Sequence, residues 1–464
     1  MQTRRARQAA CTCPSPGGSR LMPGPRPVPV RGDADLPGAV DVVIIGGGII
    51  GCATALELAE AGQRVAICEK GGIAQEQSSR NWGWVRISRR DPREVPLMAA
   101  SMRLWRDLDK RIGRETGYVQ SGICFICEDE ATFANYDRWK DHLVPYQMQA
   151  RMLRPAELQQ LFPGATIRGV GALHTPEDGR AEPQTATPAI AEAARDKGAH
   201  ILTECAVRSV ETQGGRVCGV VTERGRIGCS AVVVAGGAWS NLFLGNMGLD
   251  LPALGVVNHV LRTGPVEGGP EQAIWTSGYA FRKRADGGYT IAQGSGNTVE
   301  IVPDSFRYAR RFLPALRMDY RELHFRLSGR FLHEARRARS WGPDDVTPFE
   351  RERVLDPAPS PRMLKALMSN VSAEHPAFRA ATVAQEWAGC IDVTPDAIPV
   401  ISAVGSVPGL HIASGFSGHG FGIGPGAGGL MADIVLGRSP RVDPHEFRFS
   451  RFTDGSRIAP QTGY

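Results

Sequence analysis

Gly46, Gly48 and Gly51 stand in the spacing Gly-x-Gly-x-x-Gly, directly behind the run Asp41-Val42-Val43-Ile44-Ile45 and ahead of the helix-forming Cys52-Ala53-Thr54-Ala55-Leu56-Glu57-Leu58-Ala59-Glu60. The chemistry such a segment performs is phosphate binding. Gly46 allows the turn, Gly48 lets the backbone approach a pyrophosphate, and Gly51 lets helix pack closely on strand. The free N–H groups of the helix start, at Ile49 and Ile50, attract the negative charge. A second apolar run, Arg64-Val65-Ala66-Ile67-Cys68, ends in Glu69 and Lys70, at about the 20-residue offset where an acidic side chain meets ribose hydroxyls. The segment predicts a strand-helix-strand unit that binds a dinucleotide.

Three further segments carry ligand-binding chemistry. Gln75 to Arg86 is too polar and too aromatic for a plain connector and reads as a ligand loop. The wholly apolar Ala231-Val232-Val233-Val234-Ala235 predicts a strand buried on both faces of a parallel sheet, and Gly236 and Gly237 behind it suit a backbone passing close to a cofactor. Near the end, His411 to Gly415 leads through the glycine-rich Phe416 to Gly426 into a small-residue helix, Ala427 to Leu436, a second helix start with bare amides. Cys124-Phe125-Ile126-Cys127 has metal-like spacing, but no second pair or suitable His follows; it reads as a buried strand, and no metal is expected.

The elements that hold these segments follow from pattern. With 464 residues, 42% hydrophobic and 22% charged, the chain is long enough for two or three units around filled cores. A net charge of +6 from 54 basic and 48 acidic residues does not argue for nucleic acid. No apolar stretch reaches the roughly 18 residues of a membrane span. Cysteines inside apolar patterns point to a reducing compartment, so the expected location is cytoplasmic or peripheral to a membrane. Residues 1–40, rich in Pro, Gly and Arg, read as a disordered extension; the twin Arg4-Arg5 has no apolar run behind it, Met22 is a possible start, and organelle targeting is the alternative. Helices are predicted from Leu97 to Gly113 and Thr187 to Lys197, and a hairpin at Val207 to Glu211 and Val217 to Thr222. From Leu251 to Trp387 the pattern turns to period-two strands, interrupted by the Arg-rich helical stretch Phe306 to Arg339. Its basic run Arg336-Arg337-Ala338-Arg339 is a solvated helix face or a docking surface. The predicted fold is α/β: a Rossmann-like dinucleotide-binding domain from 41–95, 170–245 and 385–440, a second domain of mainly antiparallel β-sheet plus helices from 96–169 and 246–384, and a tail at 441–464.

The glycine turn, the Ala235-Gly236-Gly237-Ala238-Trp239 strand end, the series Trp387-Ala388-Gly389, Thr394-Pro395-Asp396, Pro399-Val400-Ile401 and the terminal glycine-rich helix start, in that order, resemble the FAD-dependent D-amino-acid oxidase superfamily. That superfamily includes glycine oxidase, sarcosine oxidase, D-amino-acid dehydrogenase and the opine and hydroxyproline oxidoreductases, and the likeness covers about residues 40 to 440. It implies FAD, with Gly46, Gly48 and Gly51 at the pyrophosphate, Glu69 and Lys70 at the adenosine ribose, and Val207 on the adenine through its backbone. Ser78, Ser79, Arg80, Asn81 and Trp82 would lie on the flavin side and Gly236 and Trp239 at the strand end. Gly418, His419, Gly420, Phe421, Gly422 and Ile423 would face the flavin N1–C2=O edge. A helix N-terminus carries about half a positive charge, so it stabilises the reduced flavin there. The resemblance also implies oxidation of a CH–NH bond by hydride transfer to flavin N5, followed by hydrolysis of the imine.

One departure bears on substrate. Many relatives place an Arg two residues after Trp-Ala-Gly to clamp a carboxylate, and this chain has Ile391 and Asp392 there. Either Arg86 or Arg282 takes over, or the substrate presents an amine that Asp392 holds; alternatively Asp392 caps a turn. His419 is a hydrogen-bonding partner of flavin or substrate, or a structural loop residue. His259, Tyr279 and Arg282 on second-domain strands form the cavity wall or ordinary sheet surface. Cys390 falls one residue nearer Thr-Pro-Asp than the flavin-linked Cys of sarcosine-oxidase relatives, so non-covalent FAD is expected. The electron acceptor is oxygen, a quinone or a partner protein. Two readings compete with an amino-acid or secondary-amine oxidoreductase: a flavin-binding subunit of a multi-subunit dehydrogenase, and an NAD-dependent dehydrogenase, for which Gly415 to Gly426 has no use.

Overall fold

The structure is a computed structural model that describes residues 24–320 and 323–461. Val42–Ile45 (β1), Ile49–Glu60 (α1) and Val65–Cys68 (β2) form the expected strand-helix-strand unit. β1 pairs in parallel with β2 on one side and with Ala231–Val234 on the other. The sheet continues to His200–Leu202 beyond β2, and to Leu410–Ser414 and an antiparallel Val400–Ala403 beyond Ala231–Val234. Every residue of β2 and of Ala231–Val234 is buried, which is why neither run alternates with polar residues.

Backbone meets backbone at the end of β1. Gly46 has φ 111°, and a Cβ there would lie 2.4 Å from the Ala235 carbonyl oxygen. A Cβ at Gly51 would lie 2.1 Å from the Gly46 carbonyl oxygen. Only glycine fits either position without moving main chain.

Val95–Ile112 (α2) runs where the sequence places a helix and stops on Gly113, left-handed at φ 65°. The last long helix, Gly420–Val435 (α3), begins seven residues before the predicted start at Ala427. Glycine disfavours a helix interior by about 1 kcal/mol relative to alanine. Here it permits contact: added Cβ atoms would lie 2.9 Å from Ile49 at Gly424, 2.8 Å from Ser101 at Gly426 and 2.6 Å from Ala53 at Gly428. The glycines therefore wedge α3 against α1 and α2.

The second sheet has ten strands and is mainly antiparallel. Its spine is Leu254–Thr263 (β3), paired with Val383–Val393 (β4) from Leu254 opposite Val393 to Thr263 opposite Val383. The parallel pairs are Ala273–Trp275 with Ile123–Cys127 and Asn297–Glu300 with Leu323–Arg326. Two strands assigned from sequence to the first domain pair here instead: β4, and Gly171–Thr175 against Ile123–Cys127. Gly171–Thr175 is buried throughout, so its composition does not distinguish it from a strand of the parallel sheet.

Residues 24–40 are packed, contrary to the expected disordered extension. The Val28 N–H donates to Gln184 O at 2.8 Å, the Ile201 N–H donates to Asp33 Oδ2 at 2.8 Å, and the Val40 N–H donates to Gly228 O at 2.9 Å. The rest of the extension, with Arg4, Arg5 and Met22, lies outside the described residues. In the C-terminal tail, buried Arg451 pairs with Asp396 of the Thr-Pro-Asp series at 3.0 Å. All eight cysteines among the described residues are free thiols, and Cys124 and Cys127 lie in a fully buried strand. Among the described residues no cluster of His, Cys, Asp and Glu could hold a metal, and no helix is long and apolar enough to cross a membrane.

The contact at Gly51 gives a direct test. Gly51→Ala should cost roughly 1–3 kcal/mol by overpacking, read from the urea midpoint of the FAD-free protein. Gly245→Ala, where a Cβ would meet nothing within 4 Å, should leave the midpoint level or raise it slightly.

Candidate active site

A cavity of about 700 Å³ lies between the two sheets, lined by the ends of β1, β2 and Ala231–Val234, the loop from Gly72 to Arg90, the faces of β3 and β4, and the start of α3. At one end Glu69 accepts the Gly47 and Gly71 N–H groups, each at 2.7 Å. Burial pushes its carboxyl above the usual range, and Lys70 with the two amides opposes this. Ser78 Oγ accepts the Ile49 N–H at 2.9 Å, and a Cβ at Gly48 would meet only that hydroxyl, at 3.1 Å. Ile50, Lys70, Val207 and Gly236 line the same end. Trp239 Nε1 donates to Glu76 at 3.0 Å, and the Lys70 ammonium sits 4.5 Å over the Trp239 ring.

The loop from Ser78 to Trp82 has mixed duties. Arg80 is buried, bonded to Asp356, to Ala388 O at 3.1 Å and to Gln75 O at 3.3 Å, and its Nη2 has no protein partner. Asn81 shapes the loop, donating to Gln77 O and Ser78 O and accepting the Gly83 N–H. Trp82 Nε1 donates to Asn258 Oδ1 at 3.1 Å. Ser79 faces inward, its hydroxyl on Glu76 O, and does not line the cavity. At the start of α3, Gly418, His419, Gly420, Phe421 and Gly422 line the cavity, whereas Ile423 is buried in the core behind it. The first amides of a helix have no partner within it.

Three candidates from the second domain lie elsewhere. Arg282 is buried in a two-pronged pair with Glu182, at 2.7 and 3.1 Å, and its Nε donates to Trp82 O at 2.6 Å. It anchors the loop and does not line the cavity. His259 lies on β3 between Asn258 and Val260, which both line the cavity; strand alternation turns it to the opposite face, where its Nδ1 accepts the Ser360 N–H at 3.2 Å. Tyr279 is packed on Phe281, its hydroxyl 2.8 Å from both Glu374 and His375.

Arg86 does line the cavity, and with it come two residues the sequence reading passed over, Arg89 and Arg90. The Arg86 guanidinium sits 5.3 Å over Phe125; that of Arg89 sits 5.4 Å over Phe125 and 5.0 Å over Trp275. Trp82, Trp84, Phe125 and Trp275 form a chain of ring contacts 5.1 to 5.9 Å apart. Burial and the charges of Arg90 and Arg89 pull the Arg86 guanidinium below its ordinary range, and the carboxylates of Asp178 and Glu94 oppose this. Asp178 also accepts the Ile87 N–H at 2.7 Å and so fixes the loop. Of the three guanidiniums beside the aromatic wall, Arg90 lies 3.7 Å from Glu94, whereas Arg86 and Arg89 have no carboxylate within 4 Å among the described residues.

His419 Nδ1 lies 2.9 Å from Glu94 Oε2, and Arg90 donates to the His419 carbonyl at 3.2 Å. Burial pulls the imidazole below its ordinary range, so it is neutral at neutral pH. In the tautomer that donates Nδ1–H to Glu94, Nε2 is the acceptor.

On β4, Gly389, Cys390, Ile391 and Asp392 all line the cavity. A Cβ at Gly418 would meet Ile391 at 3.6 Å, one at Gly255 would meet the Cys390 thiol at 3.1 Å, and burial pushes that thiol up to about 11. Asp392 is buried and does the turn-holding job: its Oδ2 accepts the Gly415 N–H at 2.9 Å and its carbonyl accepts the Ser417 N–H at 2.9 Å.

Residues 41–434 match the DAO family, described as FAD dependent oxidoreductase. The chain belongs to this family. The oxidoreductase is similar along its length to the L-amino acid deaminase of Proteus myxofaciens, solved in complex with anthranilate: 35% identical, TM-score 0.90, covering 94% of this chain and 98% of that one. It is 25% identical to the sarcosine oxidase subunit beta of Rhodobacter capsulatus, over 90% of each. It is 29% identical over 249 residues to mouse mitochondrial sarcosine dehydrogenase, and that match spans 52% of this chain and 27% of the mouse protein. The residues present fit FAD: a bare glycine turn at a helix start, an acidic side chain at the end of β2, a second helix start, and an orphaned Arg80 nitrogen on the wall between them.

Asp392 supplies the pH test. Burial raises its carboxyl from 3.8 to about 6, against donors from Gln77 and Gly415. A carboxyl whose folded value is raised opposes folding once ionised, so this contribution weakens stability as pH rises from 3.8 through about 6. Asp392→Asn keeps an oxygen for Gly415, and should gain stability relative to wild type between pH 4 and pH 7.5 by up to roughly 3 kcal/mol, read from urea unfolding of the FAD-free protein at both values.

Proposed function

We propose that the protein oxidises the α-amine of an L-amino acid with a bulky apolar side chain, releasing the 2-oxo acid and ammonium. The observation that carries the reading is the positive charge of Arg86 and Arg89, with no carboxylate within 4 Å among the described residues, beside Phe125 and Trp275. An amino-acid carboxylate entering a largely dry cavity needs such a partner, because an unpaired buried charge costs several kcal/mol. The full-length likeness to an L-amino acid deaminase supports the stereochemistry and the primary amine.

Bound FAD supplies a two-electron acceptor for the substrate Cα hydrogen. Gly46, Gly48, Gly51 and Glu69 would hold its dinucleotide end, and the amides from Gly418 to Gly422 would aim positive potential at the other. Arg86 pairs with the carboxylate, while Arg89, fixed on its rings, adds charge. Trp82, Trp84, Phe125 and Trp275 exclude water. Neutral His419, its tautomer set by Glu94, takes a proton from the entering ammonium at Nε2, so that the amine is uncharged when its Cα–H bond breaks. Phe312, Leu313, Leu316, Leu323 and Phe325 give the cavity an apolar end for the side chain. FAD would be held without a covalent bond, since Cys390 stands one residue out of register with the flavin-linked Cys of sarcosine-oxidase relatives and burial pushes its thiol up to about 11. Electrons leave to oxygen, a quinone or a partner protein. A second reading, the flavin-bearing subunit of a multi-subunit oxidase, draws on the match along 90% of each chain to the sarcosine oxidase subunit.

Anaerobic bleaching of the flavin absorbance by a panel of amino acids tests the proposal. Arg86→Gln should raise the concentration for half-bleaching by tenfold or more, about 1.4 kcal/mol, with flavin content unchanged. The corresponding amines lacking a carboxylate should show no such difference. Equal bleaching of wild type and Arg86→Gln by every carboxylate substrate would rule out this carboxylate site.

A further inference from the structure

Arg89 is held in a way that carboxylate binding does not require. Its guanidinium lies 5.4 Å over the ring of Phe125, 4.7 Å over Tyr136 and 5.0 Å over Trp275, so three ring faces surround one cation. Each ring comes from a different element. Phe125 and Trp275 stand opposite one another in the parallel pair of Ile123–Cys127 with Ala273–Trp275, their rings stacked at 5.8 Å. Tyr136 is brought by the helix Glu130–Trp139, which is tied to the arginine loop where Trp139 Nε1 donates to Arg90 O at 2.8 Å. Arg89 reaches between them from a left-handed backbone, φ 54°, a conformation uncommon for any residue but glycine.

Several ring faces around one positive charge are how proteins capture the ammonium or guanidinium group of a ligand. In this protein the box is filled by the chain's own arginine. Arg89 lines the cavity, and among the described residues no carboxylate lies within 4 Å of it. Arg86 sits over the same Phe125 ring at 5.3 Å. A substrate anchored by its carboxylate at Arg86 therefore stands beside the box, and a long unbranched side chain runs within its reach.

We propose that Arg89 is a specificity-determining residue: it fills an aromatic box that would otherwise hold a cationic substrate side chain, and its charge repels such side chains from the cavity. The inference rests on the carboxylate site proposed above and names what that site refuses, L-amino acids whose side chain ends in an ammonium or guanidinium. Like charges a few ångströms apart between aromatic walls repel far more strongly than in water. An apolar side chain of the same length meets no such repulsion, and a built-in repulsive group is a general route to discrimination.

Two matched pairs of ligands test this on the FAD-loaded protein. L-norleucine and L-lysine differ by a terminal ammonium and report through anaerobic bleaching. Hexanoate and 6-aminohexanoate differ in the same way but have no α-amine, so they report binding through the absorbance of the oxidised flavin, whether or not amino acids are oxidised. In the wild type the uncharged member of each pair should act at a concentration about a hundredfold lower than the charged one. Arg89→Gly suits the left-handed backbone and empties the box; it should shrink that ratio by tenfold or more, with flavin content unchanged. Arg89→Lys keeps a cation in place and should hold the ratio near its wild-type value. Adding Tyr136→Leu to Arg89→Gly should widen the ratio again by about threefold, as one ring face is lost. The proposal is overturned if the wild type takes L-lysine as readily as L-norleucine, if Arg89→Gly leaves both ratios unchanged, or if Arg89→Lys behaves like Arg89→Gly. A wild-type preference for L-glutamate over L-norleucine that Arg89→Gly abolishes would also overturn it, since Arg89 would then receive a second carboxylate. Bleaching by neither amino acid, with the hexanoate pair behaving as stated, would defeat the oxidation reading and sustain this one; a flavin spectrum indifferent to all these ligands would defeat both.

Discussion

Main chain lies hard against main chain at the end of β1, where the Gly46 carbonyl lies under Gly51 and Gly46 itself lies against the Ala235 carbonyl. Everything in the cofactor half depends on that contact. It sets α1 down on the sheet, opens its first amides toward the cavity, and brings the ends of β1 and Ala231–Val234 to one floor. Glu69 completes the floor by accepting amides from Gly47 and Gly71. α3 repeats the device on a longer scale, since its glycines let it lie against both α1 and α2 and deliver its N-terminus to the same cavity.

The substrate half depends on a different constraint, the balance of buried charge. Arg282 is buried and Arg86 half-buried, both at the Trp82–Arg86 loop, yet Glu182 takes both prongs of Arg282, whose Nε holds Trp82 O and whose Nη1 also donates to Lys283 O. Arg282 does not line the cavity. Arg86 and Arg90 both feel Asp178 and Glu94, and among the described residues neither Arg86 nor Arg89 has a carboxylate within 4 Å, a shortage of counter-charge that suits an anion. Removing one partner of a fully paired buried arginine is costly to the fold, whereas an under-compensated one is relieved when a carboxylate arrives.

Much of this was legible in the sequence because it is local. The glycine spacing, the acidic end of β2 and the apolar Ala231–Ala235 run each report on a few adjacent residues, and all three lie where the pattern put them. What depends on facing was harder. His259 was a fair candidate by type, but on a strand its neighbour Asn258 claims the cavity face, and parity is fixed only by the pairing of β3 with β4. Arg89 and Arg90 were passed over although they follow the aromatic loop directly; Arg89 carries φ 54°, a turn that no residue type there announces. Residues 24–40 look disordered by composition and are ordered by backbone bonds to Gln184, Ile201 and Gly228, partners distant in sequence. The early start of α3 was hidden because glycine's low helix propensity outweighs, in a one-dimensional reading, the close packing it permits in three.

Product identity in a single anaerobic turnover tests the central claim most directly. The account predicts that an L-amino acid with a large apolar side chain bleaches the bound flavin and yields one 2-oxo acid and one ammonium per flavin reduced. Bleaching only by N-methyl amino acids, with an aldehyde released and no 2-oxo acid from any primary amino acid, would contradict it.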